Sequence, residues 1–107
     1  MVIVIIVETF QPHRSNTLFG FCTIVVVKMH MRIHGVTVHE SHGKRWASLP
    51  SKPMLDKAGN VLRDERGKVR YSPVLEFTDK ETRDRFSTVV IDALLEFAPG
   101  AFEVEEV

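Results

Sequence analysis

The sequence predicts a single α+β domain, an antiparallel β-sheet with a projecting β-ribbon arm and one C-terminal amphipathic helix. Three observations predict this fold class. Val- and Ile-rich runs fill much of the first half of the 107-residue chain, Gly- and Pro-containing turn signals separate them, and an apolar stripe with helical spacing follows Thr78. A chain of this length has the usual size of one domain, so we expect residues 1–107 to fold together.

The first two strands are predicted from their β-branched residues. Residues 2–10 are rich in Val and Ile, which pack well on a pleated surface and crowd a helix. Residues 11–17 contain Pro and Asn without periodicity, which is typical of a loop. The second strand, residues 18–28, is apolar at both parities, and this predicts that both of its faces are covered.

The third strand contains a change of parity. From Met29 to Ile33 apolar and polar residues alternate, whereas beyond Gly35 the apolar positions are Val36 and Val38. One extra residue in a strand reverses the parity, so we expect Gly35 to lie at a bulge or bend. The polar face should then run through Lys28, His30, Arg32, His34, Thr37 and His39.

The second half of the sheet is predicted from turn signals. Residues 40–44 form a turn into a fourth strand at residues 45–49. Residues 52–70 contain turns around Gly59 and Gly67 and predict a basic arm that projects from the sheet. Residues 74–77 should form a short strand before the helix.

The helix is predicted from a capping box and an apolar stripe. Thr78 and Glu81 have the spacing of the box, and Pro99 and Gly100 end the helix. Ile91 and Leu95 lie off the main stripe, which predicts a second apolar surface and, with the two-faced second strand, a homodimer or higher oligomer. The main stripe comprises Phe86, Val89, Val90, Ala93, Leu94 and Phe97.

The charges are unevenly distributed although the formal net charge is zero. Residues 44–70 carry eight basic and three acidic side chains, whereas residues 92–107 carry five acidic and no basic ones. This asymmetry predicts a basic surface for a partner and an acidic C-terminal tail at about residues 98–107. The alternative is that the two regions neutralise each other within or between subunits.

The expected compartment is the cytoplasm. Cys22 is the single cysteine and cannot form an internal disulfide, which is typical of a reducing environment. The apolar run at residues 2–7 is too short to span a bilayer and lacks the features of a signal peptide. We therefore expect no membrane association.

No catalytic, cofactor or metal motif stands out. His30 and His34 would lie about 13 Å apart on a strand and cannot share one ion. His39 and His42 flank a turn, so a zinc site there is the alternative interpretation. The serines lie outside nucleophile motifs, and no phosphate-binding glycine loop follows a strand. We expect a protein that is not an enzyme, needs no cofactor and acts by recognition.

Trp46 is the sharpest single candidate for recognition. This only tryptophan follows Lys44 and Arg45, and an exposed aromatic ring on a basic sheet can stack on a nucleic-acid base. The alternative is a tryptophan buried in the core or in a dimer interface, because tryptophan is mostly buried. The same two interpretations apply to Tyr71.

Residues 33–51 resemble the stage V sporulation protein G (SpoVG) family. The similar features are a strand with a Gly-containing turn, the aromatic Trp46, and the run Ala-Ser-Leu-Pro-Ser-Lys that ends at Lys52. Farther along are an Arg-Asp pair, the run Tyr-Ser-Pro-Val from Tyr71, and Arg83 near the helix start. The resemblance covers about residues 17–97. It implies a sheet-plus-helix fold, dimerisation through strands, and regulatory binding of DNA or, in some members, RNA.

Two departures bear on which residues would bind nucleic acid. The arm between Lys52 and Tyr71 is longer than in that family, and the chain ends in an acidic segment. We therefore expect a bacterial or mobile-element homodimer that binds phosphates through the arm, with single strands somewhat favoured because no recognition helix is apparent. The alternative is a protein–protein adaptor. The candidate nucleic-acid-binding residues are Lys44, Arg45, Trp46, Lys52, Arg63, Arg66, Lys68, Arg70, Tyr71 and Arg83.

Overall fold

The computed structural model describes residues 2–103 and confirms the α+β architecture. Four antiparallel strands form a meander in the order β1-β2-β3-β4, a separate sheet pairs β5 with β6, and helix α1 packs on the larger sheet. The elements are β1 (Ile5–Ser15), β2 (Leu18–Val26), β3 (Met31–Ser41), β4 (Lys44–Ser48), β5 (Ser51–Pro53), β6 (Tyr71–Pro73) and α1 (Lys80–Phe97).

Strand β1 extends well past its predicted end. The loop predicted at residues 11–17 is wrong, because the strand continues to Ser15 and only Asn16 and Thr17 form the turn. Pro12 is tolerated since β1 is an edge strand and pairs with β2 on one side only. Asn16 takes a left-handed conformation (φ 54°), which asparagine accepts more readily than most residues.

The connection from β2 to β3 is a short 3-10 helix, Val27–Met29, followed by His30 in a left-handed conformation (φ 50°). The second strand therefore ends earlier than predicted. The prediction of a continuous polar face on the third strand was wrong for its first two residues. Lys28 and His30 lie in the connection and not on the sheet, and the side chain of Met29 is 66% exposed.

The bulge at Gly35 is confirmed. In the register Cys22 faces Val36 and Ile24 faces Ile33, so β3 has one more residue than β2 in this interval. Gly35 has φ +73°, which is left-handed, and the buried side chains on both sides of it share one face. The parity reversal in the sequence thus reports a real backbone irregularity.

The β3–β4 hairpin closes on His42 and Gly43, both with positive φ (50° and 79°), as a two-residue hairpin turn requires. Strand β4 consequently starts and ends one residue before its predicted bounds. Residues 74–77, predicted as a short strand, form an irregular connection to the helix.

Helix α1 begins one residue later than the capping box predicts. Asp79 is the N-cap, and its Oδ2 accepts a hydrogen bond from the backbone N–H of Thr82 at 2.7 Å. The cap is therefore an aspartate and not Thr78, because Asp79 has the extended backbone that places its carboxylate over the first turn.

The hydrophobic core lies between α1 and one face of the four-stranded sheet. Ile24, Val36, Val38, Val90 and Leu94 are completely buried there. Ile91, predicted to lie off the stripe, is also buried, whereas Phe97 is 44% exposed. The prediction of a second apolar surface on the helix was thus wrong at Ile91. The helix contacts both edge strands of the sheet, β1 and β4, so its buried arc is wider than one stripe.

The first part of the predicted acidic tail contributes two residues to this core. Ala101 and Phe102 are buried, the Phe102 ring lies 5.3 Å from that of Phe19, and Nη2 of Arg14 donates to the carbonyl of Glu103 at 2.6 Å. The rest of the predicted acidic tail, residues 104–107, lies outside the described residues. Within residues 2–103, no helix has the length and apolar character needed to cross a membrane.

Candidate nucleic-acid interface

The four-stranded sheet has two chemically different faces. Val38 and Ala47 are paired and buried under the helix, so the next pair in the register, His39 and Trp46, points to the opposite side. We call this side the outer face. The outer face also includes Phe21 and Arg32, and in the part of the chain that the structure describes it is open to solvent: Phe21 is 36% exposed.

Trp46 and His39 form a stacked pair on the outer face. Their ring centroids lie 5.3 Å apart with an interplanar angle of 6°. Both imidazole nitrogens are within hydrogen-bond distance of threonine hydroxyls, Nδ1 at 3.1 Å from Thr17 Oγ1 and Nε2 at 3.0 Å from Thr37 Oγ1. Burial lowers the pKa of His39, which favours the neutral ring at physiological pH. Trp46 is half-buried on this face and is not a core residue.

Arg45 is not next to Trp46 in space, although it precedes it in sequence. Its side chain lies on the helix side of the sheet, where Nε donates to Glu40 Oε2 at 2.6 Å and Cζ lies 4.6 Å from the centroid of the Phe102 ring. Arg45 is therefore already engaged in intramolecular contacts. Lys44, by contrast, is exposed and alternates to the outer face with Trp46.

The basic arm is an ordered three-part unit. The β5–β6 pair forms its base, and three residues spaced by eight positions close its centre with a ring of backbone hydrogen bonds. Met54 N–H donates to Arg70 O at 2.8 Å, Arg70 N–H to Leu62 O at 2.9 Å, and Leu62 N–H to Met54 O at 2.8 Å. Two short turns project from this ring, one after Met54 and one after Leu62.

The two turns of the arm have the same construction. In the first turn Asp56 Oδ1 accepts from the backbone N–H groups of Ala58 and Asn60, both at 2.9 Å. In the second turn Asp64 Oδ1 accepts from the N–H groups of Arg66 and Lys68 at 2.8 and 3.0 Å. The shared sequence pattern is Asp-x-x-Gly-x-Val, repeated after eight residues. Sequence reasoning identified both turns but missed the repeat, which comparison at this spacing would have found.

The two turns differ in charge. Residues 55–62 contain one acidic and one basic side chain, whereas residues 63–70 contain two acidic and four basic ones and carry a net charge of +2. Arg63, Arg66, Lys68 and Arg70 are all exposed. Nη1 of Arg63 donates to the carbonyl of Gly67 at 2.9 Å, which ties this side chain to the turn. The other three have no such hydrogen bond among the described residues.

Comparison with known proteins gives no match from which a function could be carried over. No family model, curated protein or solved structure matches this chain. The resemblance to the SpoVG family thus stays a prediction from short motifs.

The remaining candidate residues do not form one cluster with the second turn. Lys52 and Tyr71 are exposed on the β5–β6 pair at the base of the arm, with Tyr71 59% exposed. Arg83 is exposed on α1, its Nε 3.7 Å from Asp84 Oδ1, and it borders a small pocket next to Ala47 on the helix side. The predicted site is therefore divided among the outer face, the arm and the helix side.

The described residues contain no group of three or more His, Cys, Asp or Glu side chains that could hold a metal ion. His39, one of the two histidines in the zinc alternative with His42, has both ring nitrogens within hydrogen-bond distance of threonines. Its structural role is to support Trp46.

Proposed function

We propose that this protein is a non-catalytic nucleic-acid-binding regulator whose main phosphate contacts come from the second turn of the arm. The observation that carries the proposal is the exposed cluster of Arg63, Arg66, Lys68 and Arg70 on a turn whose backbone is fixed by Asp64. Lys and Arg side chains that neutralise phosphates provide most of the sequence-independent affinity for nucleic acids.

The geometry of the turn favours a polyanion over a single small anion. The basic side chains are exposed and spread along a projecting unit, so they would meet phosphates at several positions along a strand. Fixing the backbone through Asp64 also reduces the conformational entropy that binding would otherwise cost. The resemblance to the SpoVG family supports the same function, with a homodimer in a bacterial cytoplasm as its expected setting.

The first turn provides a matched control for the second. Arg66→Ala with Lys68→Asn gives the second turn the residues that the first turn has at the equivalent positions, Ala58 and Asn60. Because the first turn forms the same hydrogen bonds with those residues, the double variant removes two charges without changing the backbone.

The test is a titration of labelled single-stranded and duplex oligonucleotides at two or more salt concentrations. We expect the double variant to bind more weakly regardless of sequence, and the slope of log affinity against log salt to fall by about 0.7 per lost contact on single strands and about 0.9 on duplex. The reciprocal variant, Ala58→Arg with Asn60→Lys, should strengthen binding. An unchanged slope in both variants would show that the turns do not contact phosphate.

The rival function is a protein–protein adaptor, which the exposed apolar side chains favour. Val2, Met29 and Ile6 are 69%, 66% and 55% exposed. An apolar protein interface should respond little to salt, whereas nucleic-acid binding through several phosphates should weaken by orders of magnitude. If the parent protein binds no oligonucleotide at low salt, the adaptor function takes its place.

A further inference from the structure

The outer face carries aromatic rings on neighbouring strands. Phe21 on β2 faces Thr37 on β3, and His39, two residues farther along β3, faces Trp46 on β4. The ring of His13 lies 5.8 Å from that of Phe21, so the aromatic surface extends from β1 to β4. Proteins that read single-stranded RNA with a four-stranded sheet use aromatic rings on the free face in this way, each stacking on an unpaired base.

The Trp46–His39 pair is preorganised for such stacking. The two nitrogens of the His39 imidazole lie 3.1 and 3.0 Å from threonine hydroxyl oxygens, which hold the ring in place. The Trp46 indole stacks on this imidazole with an interplanar angle of 6°. Contacts to Thr17 and Thr37 thus fix the orientation of the imidazole on which the indole stacks. A fixed ring loses little conformational entropy when a base stacks on it.

The charges on the outer face suit an anionic strand. The carboxylate of Glu8 on this face is held by Arg32 in a two-bond pair, Nε to Oε1 at 2.6 Å and Nη2 to Oε2 at 3.2 Å. Lys44 stands exposed beside Trp46 at the edge of the sheet. Only Leu49 and Pro50 separate the end of β4 from β5 at the base of the arm, so Trp46 and Lys44 lie close to the arm along the chain.

We propose that the outer face binds unpaired nucleobases by stacking on Trp46 and Phe21, while the arm binds the backbone of the same strand. This inference rests on the proposed function and assigns it a substrate class: single-stranded nucleic acid is the ligand, in preference to duplex. The surface is distinct from the second turn, so each can be tested without the other.

The intrinsic fluorescence of the unmodified protein provides the first test. Trp46 is the only tryptophan in the chain, so its emission reports on the outer face alone. We expect titration with single-stranded oligonucleotides to quench this emission with the same midpoint that the anisotropy of the labelled strand gives. Duplex of the same sequence should bind more weakly and quench less.

The second test uses variants with an aromatic control. Trp46→Ala and Phe21→Ala should each weaken single-strand binding by at least about fivefold, the lower end of what loss of one base–aromatic stack causes. Phe97→Ala, which removes a ring that is 44% exposed on the helix, should leave the affinity unchanged. Circular dichroism establishes that each variant is folded.

The outcomes separate this proposal from the proposed function. If the labelled strand binds but the emission of Trp46 does not change, or if both variants keep the parent's affinity, the outer face is not the base-binding surface while the arm retains its role. If the emission changes with protein concentration in the absence of nucleic acid, a second copy of the chain covers this face and the proposal is overturned. If no oligonucleotide binds, both proposals fail together.

Discussion

Two glycines of the larger sheet are required for different physical reasons. A Cβ added to Gly20 would lie 2.6 Å from both the carbonyl oxygen of Gln11 and the ring of Phe10, so this position excludes side chains by sterics. At Gly35 the nearest atom would be Pro50 Cβ at 3.8 Å, an ordinary contact, but its φ of +73° disfavours any L side chain. Space limits the first position and backbone conformation the second.

Gly35→Val should destabilise the fold, although valine is a good strand former. A left-handed conformation costs a non-glycine residue about 1–2 kcal/mol, more than valine's strand preference returns. Gly35→Asn should lose less stability, because asparagine accepts left-handed backbone more readily. Urea denaturation midpoints of the two variants provide the comparison, and equal losses would show that the bulge backbone is not the cause.

His39 should make the stability depend on pH in the mildly acidic range. Burial holds its pKa below the unfolded value of 6.5, so the unfolded chain takes up the proton first as the pH falls. The contribution of neutral His39 to the free energy of unfolding is complete above pH 6.5. It is lost as the pH drops through the lower pKa of the folded state. We expect the urea midpoint of the parent to decrease over this range more steeply than that of His39→Gln. Parallel curves would contradict the assignment.

At the scale of the elements, the sequence predicts those helices, strands and bulges that neighbouring residues along the chain determine. The bulge at Gly35 and the helix were predictable because a parity reversal and a 3.6-residue period are local signals. The length of β1 was not, since Pro12 is compatible with the strand only at an edge, and edge position is a property of the whole sheet. Ile91 was misassigned for a similar reason, because the width of the buried arc depends on how the sheet curves around α1.

The candidate site was predictable in its charges but not in its geometry. The sequence identifies the basic residues 63–70 and Trp46 as candidates, and the structure shows these side chains at least partly accessible. The sequence did not show that Arg45 contacts Glu40 and Phe102 on the face opposite Trp46. The predicted strand implies opposite faces for adjacent residues, but these contacts depend on the β3–β4 register and on where Phe102 packs. Nor did the sequence show that two threonines fix His39.

Two adjacent residues, Thr78 and Asp79, are candidates for the N-cap of α1, and substitutions can distinguish them. Asp79 accepts from the N–H and the hydroxyl of Thr82 at 2.7 and 2.9 Å, and these hydrogen bonds lower the pKa of its carboxyl. Asp79→Ala should therefore lower the thermal midpoint at neutral pH. The difference from the parent should shrink as the pH falls through the folded pKa of Asp79, because a protonated carboxyl caps less well.

Thr78→Ala is the matched control for this cap. Thr78 is the cap that the sequence pattern alone predicts, but Asp79 makes the capping hydrogen bond. The thermal midpoint of Thr78→Ala should stay near that of the parent. If Thr78→Ala lowers the thermal midpoint more than Asp79→Ala does, Thr78 is the N-cap, as the sequence pattern predicts.

At the scale of the whole molecule, one group of exposed apolar residues lies around a shared cavity. Val2, Ile3, Val4 and Met29 line a cavity of about 200 Å³ together with Leu75. Of these, Val2 and Met29 are more than 60% exposed. Exposed apolar surface of this kind marks interaction sites in soluble proteins. The residues that line this cavity include none of the outer-face rings and none of the residues in the two turns of the arm.

We therefore expect sedimentation at tens of micromolar to give twice the 12.2 kDa mass of one chain, with little effect of salt. Met29→Glu should shift the equilibrium to the monomer, because it places a charge in the apolar end; Met29 is 66% exposed, so the monomer fold should be preserved. Leu55→Glu is the control, since Leu55 is 58% exposed but lies in the arm. Dissociation by Leu55→Glu alone would place the interface on the arm, and a monomeric parent at every concentration would show that the homodimer prediction is wrong.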